Sequence, residues 1–477
     1  MSVVDRLSAL SPEQRALFEK LRQKQPRPRS LPPVRPVSGP TGVGDWPLSF
    51  DQERLWRMHQ ERPDLVSWNV DAGSHVKGDL DVPRFLSAFR ELIRRHAAWR
   101  TTFPIVDGRP VQRVHPWMEP AVSVIDVSAL PALPEDVRER AGHEAIYEHT
   151  RNPFDLEKGP LLRIALVRLA AREHLYLLTI HHTVTDWITF QVFFQELIRI
   201  YEGERLPLPP VQFPDYALWE REQYHGEALE EEARFWRKEL EGFPLVLDLS
   251  DRPRPAIQSQ RGGLLRVRAG AERTGRLRAL ARKEGATMFM AVLAVLSALM
   301  ARVTGRDRIV IGSNSANRPR PELEAVAGLF LTQVPFATDL SGDPAFREVL
   351  ARTKRTALSA YAHQNLPFSK LIEVLGAEST PERNPVVQVL LLILEGESHG
   401  SSGALDFEPV GLYDGNSRWD LMFGLYDYHD VGLAGPLEYN ADIFDAETVG
   451  RLLELFYRTI DAVTADPDVR LSQLEAA

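Results

Sequence analysis

One seven-residue stretch constrains this chain more than any other: His181-His182-Thr183-Val184-Thr185-Asp186-Trp187. Residues 174–180 before it (HLYLLTI) form a continuous apolar run, which predicts a buried strand. After it, Ile188, Val192, Phe193, Leu197, Ile200 and Tyr201 recur at helical spacing. Two histidines thus stand where a strand ends, and an aspartate where a helix begins. Such a junction is suited to aiming a side chain into a cleft. Adjacent strand residues face opposite sides of a sheet, so only one imidazole can face a given cleft while the other serves the core. An unperturbed imidazole, with a pKa of about 6.5, takes a proton near neutrality. The competing reading is structural: two satisfied core histidines, with Asp186 as a helix N-cap.

A chain of 477 residues exceeds a usual single domain, and two lobes are the expectation. Its 44% hydrophobic and 26% charged residues are those of an ordinary globular protein. A net charge of -9 argues against nucleic-acid binding. The absence of cysteine removes disulfides, thiolate catalysis and cysteine-ligated zinc together, and fits a cytoplasmic protein. The opening residues MSVVDRLSALSPEQ carry no basic-then-apolar signal. No apolar run approaches the roughly 20 residues of a membrane span, so no membrane is expected.

Ser11, Pro12 and Gln14 form a capping-box pattern that predicts a short helix over 12–23. Prolines then recur to Pro47, an extended arm that either docks a partner or packs along the body. Ser49 caps a helix through Trp56; 69–77 read as a strand, and 82–96 as a helix ending in Arg94-Arg95-His96, cations that suit its C-terminal dipole. Residues 161–169 and 174–181 read as a hairpin. The break Leu206-Pro207-Leu208-Pro209-Pro210 is the expected passage between lobes. Beyond it come a long charged helix from Phe213 to about Leu240, an apolar helix over 287–302 and a buried strand at 309–312. A strand at 386–394, another around Glu438-Tyr439-Asn440 and a closing helix at 446–464 complete the order. Interspersed helices and strands in both halves predict an α/β protein with mixed sheets. The divisions expected are 1–47 (helix and proline-rich arm), 48–210 (first lobe) and 211–477 (second lobe).

Other chemistries find no support in the motifs. The Gly-x-Gly between Gly39 and Gly44 lies in the proline-rich arm, without the strand and helix a dinucleotide site needs. Gly312-Ser313-Asn314-Ser315 has asparagine at the serine position of a nucleophile elbow. No His-Glu-x-x-His exists for zinc, and no metal site is expected.

With these pieces in place, the chain resembles the condensation domains of nonribosomal peptide synthetases, from about Leu48 onward. Ser49 to Trp56 looks like the family's opening motif, and Arg95 to Phe103 like the second. His181 to Trp187 is similar to His-His-x-x-x-Asp-Gly, and Pro214 to Trp219 resembles the next element. Ala316-Asn317-Arg318, Gly328 to Leu331, His363 to Phe368 and Arg383-Asn384-Pro385 follow in family order. Two departures stand out: Trp187 replaces the glycine after the aspartate, and Thr332-Gln333 replaces an Asn-Thr.

The resemblance implies two chloramphenicol-acetyltransferase-like lobes in a V, each a mixed sheet with helices. It implies a condensation reaction, in which an acyl thioester on a carrier protein meets an amine or hydroxyl and forms an amide or ester. The donor's partner would be an acyl- or peptidyl-carrier protein; the acceptor would arrive on a second carrier or as a free small molecule. No cofactor is expected on the chain itself; the phosphopantetheine arms belong to the carriers. His182 is implied as the catalytic residue. His181 and Asp186 are implied as structural, with Arg318 the first candidate to pair Asp186 and Arg100 the second. Trp187 either narrows the acceptor side of the tunnel or fills core volume. Its presence keeps open a non-catalytic recruitment domain, and an acyl-CoA-dependent acyltransferase is the other alternative.

Overall fold

Apolar strand segments from both halves of the chain assemble into two six-stranded sheets. The computed structural model describes residues 31–128, 151–378, 380–396, 400–402, 405–410, 413 and 415–475; the helix expected at 12–23 lies outside them. In the first sheet the order is Gly400–Ser402, Leu405–Pro409, Asn69–Lys77, Glu173–His181, Leu162–Ala170, Ala121–Asp126. All neighbours are antiparallel except the last pair. The strand Glu173–His181 lies inside this sheet and is buried from His174 onward, which is why it reads as an unbroken apolar run. In the second sheet the order is Gly262–Arg268, Gly432–Asn440, Leu421–Tyr428, Val389–Glu395, Arg308–Ser315, Thr332–Asp339. Both pairings of Val389–Glu395, with Leu421–Tyr428 and with Arg308–Ser315, are parallel, and the other three are antiparallel. Both sheets are therefore mixed.

The helices Val82–Arg95 and Trp187–Tyr201 share the first core, where Phe85, Phe89, Tyr176 and Phe193 meet edge to face. Asp81 starts the first of these by accepting from the Arg84 N–H at 3.0 Å. His96 is more than a helix-end cation: it is fully buried, with Nε2 at 2.8 Å from Glu196, which also takes a two-pronged bond from Arg95. In the second core, Met288–Thr304 is buried without interruption from Met290 to Ala301, so it is apolar all round. Gly305, at φ 68°, closes that helix in the left-handed conformation.

The long helix expected from Phe213 to Leu240 is two helices, Phe213–Gln223 and Gly226–Glu239. The break falls at Tyr224 and His225, followed by Gly226 at φ 54°. A charged run continues across this point in sequence and hides the one residue that permits the turn.

The cores do not part cleanly at residue 210. Phe213, Tyr216 and Trp219, then Leu323 to Phe330, pack in the first core. Residues 405–409 pair with 69–77, in a register that sets Phe407 opposite Val76. The described part of the proline-rich arm packs along the body. Leu31 and Val34 are buried, Trp219 Nε1 donates to the Pro32 carbonyl at 3.0 Å, and Gly44–Trp46 pairs with Gln112–Val114.

Candidate active site

The strand Glu173–His181 ends at a single 3-10 turn, His182–Val184, and Asp186 then caps the helix Trp187–Tyr201. The change from strand to turn gives the two histidines different surroundings. His181 is 2% exposed. Its Nδ1 accepts from the Thr183 N–H at 3.3 Å and lies 2.9 Å from the Thr183 hydroxyl. His59 and Phe154 meet its ring edge-on. Burial, then the neighbouring His59, His182, Arg418 and Arg163, hold its pKa well below the usual value. His181 is the core member of the pair.

His182 is part-buried. Its Nδ1 lies 2.9 Å from the Thr185 carbonyl, which can only accept, so the ring proton sits on Nδ1. The lone pair of the neutral ring is then on Nε2. The backbone N–H donates to the Trp68 carbonyl at 2.8 Å, and the Trp68 ring lies 5.9 Å away, tilted by 60°. Burial and the positive charge of Arg418 lower the His182 pKa to about 4, against the bond to Thr185 and the charge of Asp186. At neutral pH the ring carries no extra proton.

Asp186 is 1% exposed and collects five hydrogen bonds. The Thr189 N–H reaches Oδ1 at 2.7 Å, closing the helix cap. Arg318 grips both oxygens, at 2.9 and 3.1 Å. The Phe330 and Leu331 N–H groups donate to Oδ2 at 3.0 and 3.3 Å. Burial pushes this carboxyl up, but Arg318 and the Thr189 bonds outweigh it and hold it below the usual range. Arg318 in turn lies over the Phe330 ring at 4.1 Å. Beside the pair, Thr189 Oγ1 both donates to the Gly328 carbonyl and accepts from its N–H. A Cβ at Gly328 would stand 1.9 Å from Phe213, so the segment passes too close for any side chain.

Of the two arginines expected for Asp186, only Arg318 reaches it. Arg100 is 1% exposed elsewhere, donating to the carbonyls of Ile93 at 3.0 Å, Thr41 at 2.8 Å and His115. Burial pulls its pKa to about 10. It fixes the arm and the turn after its own helix. Trp187 is 44% exposed at the first position of its helix, so it does not fill core volume.

Three neighbours of the site escaped the sequence reading. Gln52 is buried and donates from Nε2 to the Thr183 carbonyl at 3.0 Å, while closing a capping box with Ser49. Trp68 flanks His182, and Arg418 comes from the other half of the chain. The capping-box spacing marks Gln52 as a helix-start residue, but no local pattern marks the other two.

The arrangement is a two-lobed α/β scaffold that presents one neutral imidazole beside an ion pair tying its halves. The family model for the condensation domain matches residues 43–477, and the chain belongs to that family. Its fold is the chloramphenicol-acetyltransferase-like one of the solved condensation domains. A linear gramicidin synthase of Brevibacillus parabrevis is 37% identical over 467 residues, covering 95% of this chain but 9% of that protein. Phosphinothricin tripeptide synthetase PhsC of Streptomyces viridochromogenes is 35% identical, covering 98% of this chain and 44% of that protein. The chain thus spans less than half of these relatives. Among solved structures, the X-domain from teicoplanin biosynthesis superposes with a TM-score of 0.83 at 30% identity, over 94% of this chain and 100% of that one. The same domain in complex with OxyB gives 0.81 at 31% identity, over 94% and 98% of the two chains. Condensation domains of nonribosomal peptide synthetases form amide bonds between substrates held on phosphopantetheine arms of carrier proteins.

Proposed function

We propose that this chain catalyses condensation: an amine or hydroxyl attacks an acyl thioester on a carrier protein, with His182 as the base. The observation that carries this reading is the Thr185 carbonyl on Nδ1, which leaves Nε2 as the proton acceptor. For an amine, the C–N bond forms as the thioester carbonyl becomes an oxyanion. The proton lost by nitrogen passes to Nε2. The oxyanion then collapses, the C–S bond breaks, and the departing sulfur takes that proton as a thiol. A base with a pKa of about 4 does not retain the proton, which suits a relay from nitrogen to sulfur. A hydroxyl acceptor gives an ester by the same steps. Holding acceptor and thioester in line supplies much of the acceleration. Asp186 and Arg318 fix the turn that carries His182 and touch no reacting atom.

In this reading the donor arrives on an acyl- or peptidyl-carrier protein, and the acceptor on a second carrier or free. The His182→Ala variant, offered a carrier-loaded acyl donor, is expected to lose on the order of 100-fold or more in turnover while melting like the parent. Near-parental turnover in that variant would sink the role of His182. Presenting the same acyl group on CoA separates the third reading, a CoA-dependent acyltransferase.

A second reading, a recruitment domain, is favoured by the likeness to an X-domain seen in complex with OxyB. The exposed indole of Trp187 beside the motif fits it as well. A parent protein inert with every donor, yet binding an OxyB protein, would establish that reading.

A further inference from the structure

The ring of His182 rests on a support built by both halves of the chain. Its backbone N–H is held by the Trp68 carbonyl at 2.8 Å, and its ring lies against the Trp68 indole, tilted, with centroids 5.9 Å apart. Trp68 is in turn fixed by Arg418 from the far half. The Arg418 guanidinium donates to the carbonyls on either side of Trp68, Ser67 through Nε and Asn69 at 3.1 Å, and lies over the indole at 5.4 Å. The loop that bears Arg418 is itself pinned. The Ser417 N–H bonds to the Gln260 carbonyl at 2.8 Å, the Gln260 side chain takes a bond from Ser67 Oγ, and Asn384 Nδ2 donates to the Arg418 carbonyl. Among the described residues these contacts of Arg418 are with carbonyls and an indole rather than a carboxylate, and its positive charge lowers the His182 pKa.

We infer that Arg418 is a positioning residue for the transfer reaction, clamping Ser67–Asn69 from the second half and, through Trp68, setting the place and charge state of the His182 ring. The inference rests on the reading of His182 as the base. Among the described residues, the positive charge of Arg418 lowers the His182 pKa and the negative charge of Asp186 raises it. The adjacent His181, with His59 and Arg163 near it, is kept neutral by burial. A cation in this place discourages protonation of Nε2 before the acceptor arrives. Its carbonyl clamp fixes the strand start on which the catalytic turn leans.

The test uses the full chain with Arg418→Met and Arg418→Lys, and reads His182 by the NMR titration of its ring as well as by transfer kinetics. In Arg418→Met the His182 midpoint should climb from about 4 toward the free value of about 6.5. Its kcat should fall about 10-fold or more from misplacement of the ring, with KM for the donor little changed. Arg418→Lys keeps the charge but not the two-carbonyl fork, so its midpoint should stay low while kcat recovers only in part. A His182 midpoint unmoved in a folded Arg418→Met protein would overturn the inference, as would a loss of melting temperature with parental kcat. The titration needs no activity, so failure of the parent to transfer acyl groups would count against the condensation reading and leave the Arg418 measurement decisive on its own.

Discussion

Burial and Arg418 lower the His182 pKa to about 4, so the ring is uncharged at neutral pH. Acid inactivation through this residue therefore follows protonation of Nε2 near that value, not near the 6.5 of a free imidazole. With a hydroxyl acceptor, which does not titrate in this range, the rate should stay level from pH 8 to about 5 and fall below it. A half-maximal point close to 6.5 would show that His182 is far less shielded than its surroundings imply. The same residue-scale logic separates the two histidines. The chain leaves the strand between the two, and the nitrogen partners tell them apart: a backbone N–H on His181 Nδ1, a carbonyl on His182 Nδ1, which frees Nε2 of His182 to accept.

At the scale of elements, Trp187 opens a helix whose cap is Asp186. Because the indole is 44% exposed, Trp187→Gly creates no core cavity. At the first position of the helix its expected cost is no more than about 0.5 kcal/mol of helix propensity, well short of the roughly 3–5 kcal/mol of a buried tryptophan. If the indole lines the acceptor side, the variant accepts bulkier acceptors and binds the native one more weakly. Acceptor profiles that overlay for parent and variant would refute a tunnel role. Elements of this kind were legible in the sequence. The strand 69–77 and the helix capped by Ser49 follow directly from periodicity and capping chemistry. The break at His225 was not, because the flanking helices share one charged pattern. The place of Arg318 came through family resemblance alone. Arg418 and Trp68 were invisible because their partners lie some 350 positions apart, and no short-range pattern encodes such a contact.

At the scale of the whole molecule, Asp186 and Arg318 join the halves through a buried, two-pronged pair. Asp186→Asn keeps a capping side chain but strands the buried guanidinium. A loss of roughly 3–5 kcal/mol is expected, read as a drop in melting temperature. An unchanged melting temperature with lost turnover would instead make Asp186 a catalytic group. The parent's acid stability follows from the same site. Both histidines have depressed pKa values, so their contribution is complete above about 6.5 and fades as pH falls below it, that of His182 down to about 4. Asp186, also depressed, contributes fully above 3.8 and is lost below it as the carboxylate is protonated. Acid should therefore loosen the histidine strand before it breaks the tie between halves.

The strand Leu405–Pro409, laid beside Asn69–Lys77, bears on the order in which this molecule is made. The strands that cover this edge, Leu405–Pro409 and then Gly400–Ser402, are made long after Asn69–Lys77 itself. Until then the strand Asn69–Lys77 is a bare edge, with unpaired N–H and C=O groups open to any passing chain. Cutting the chain at the proline-rich break near 210 makes that transient state permanent. Residues 43–210 produced alone lack both that cover and the 213–219 and 323–330 parts of the first core and should aggregate, and production together with 211–477 should restore soluble protein; a soluble, monomeric first half would show that the edge protects itself.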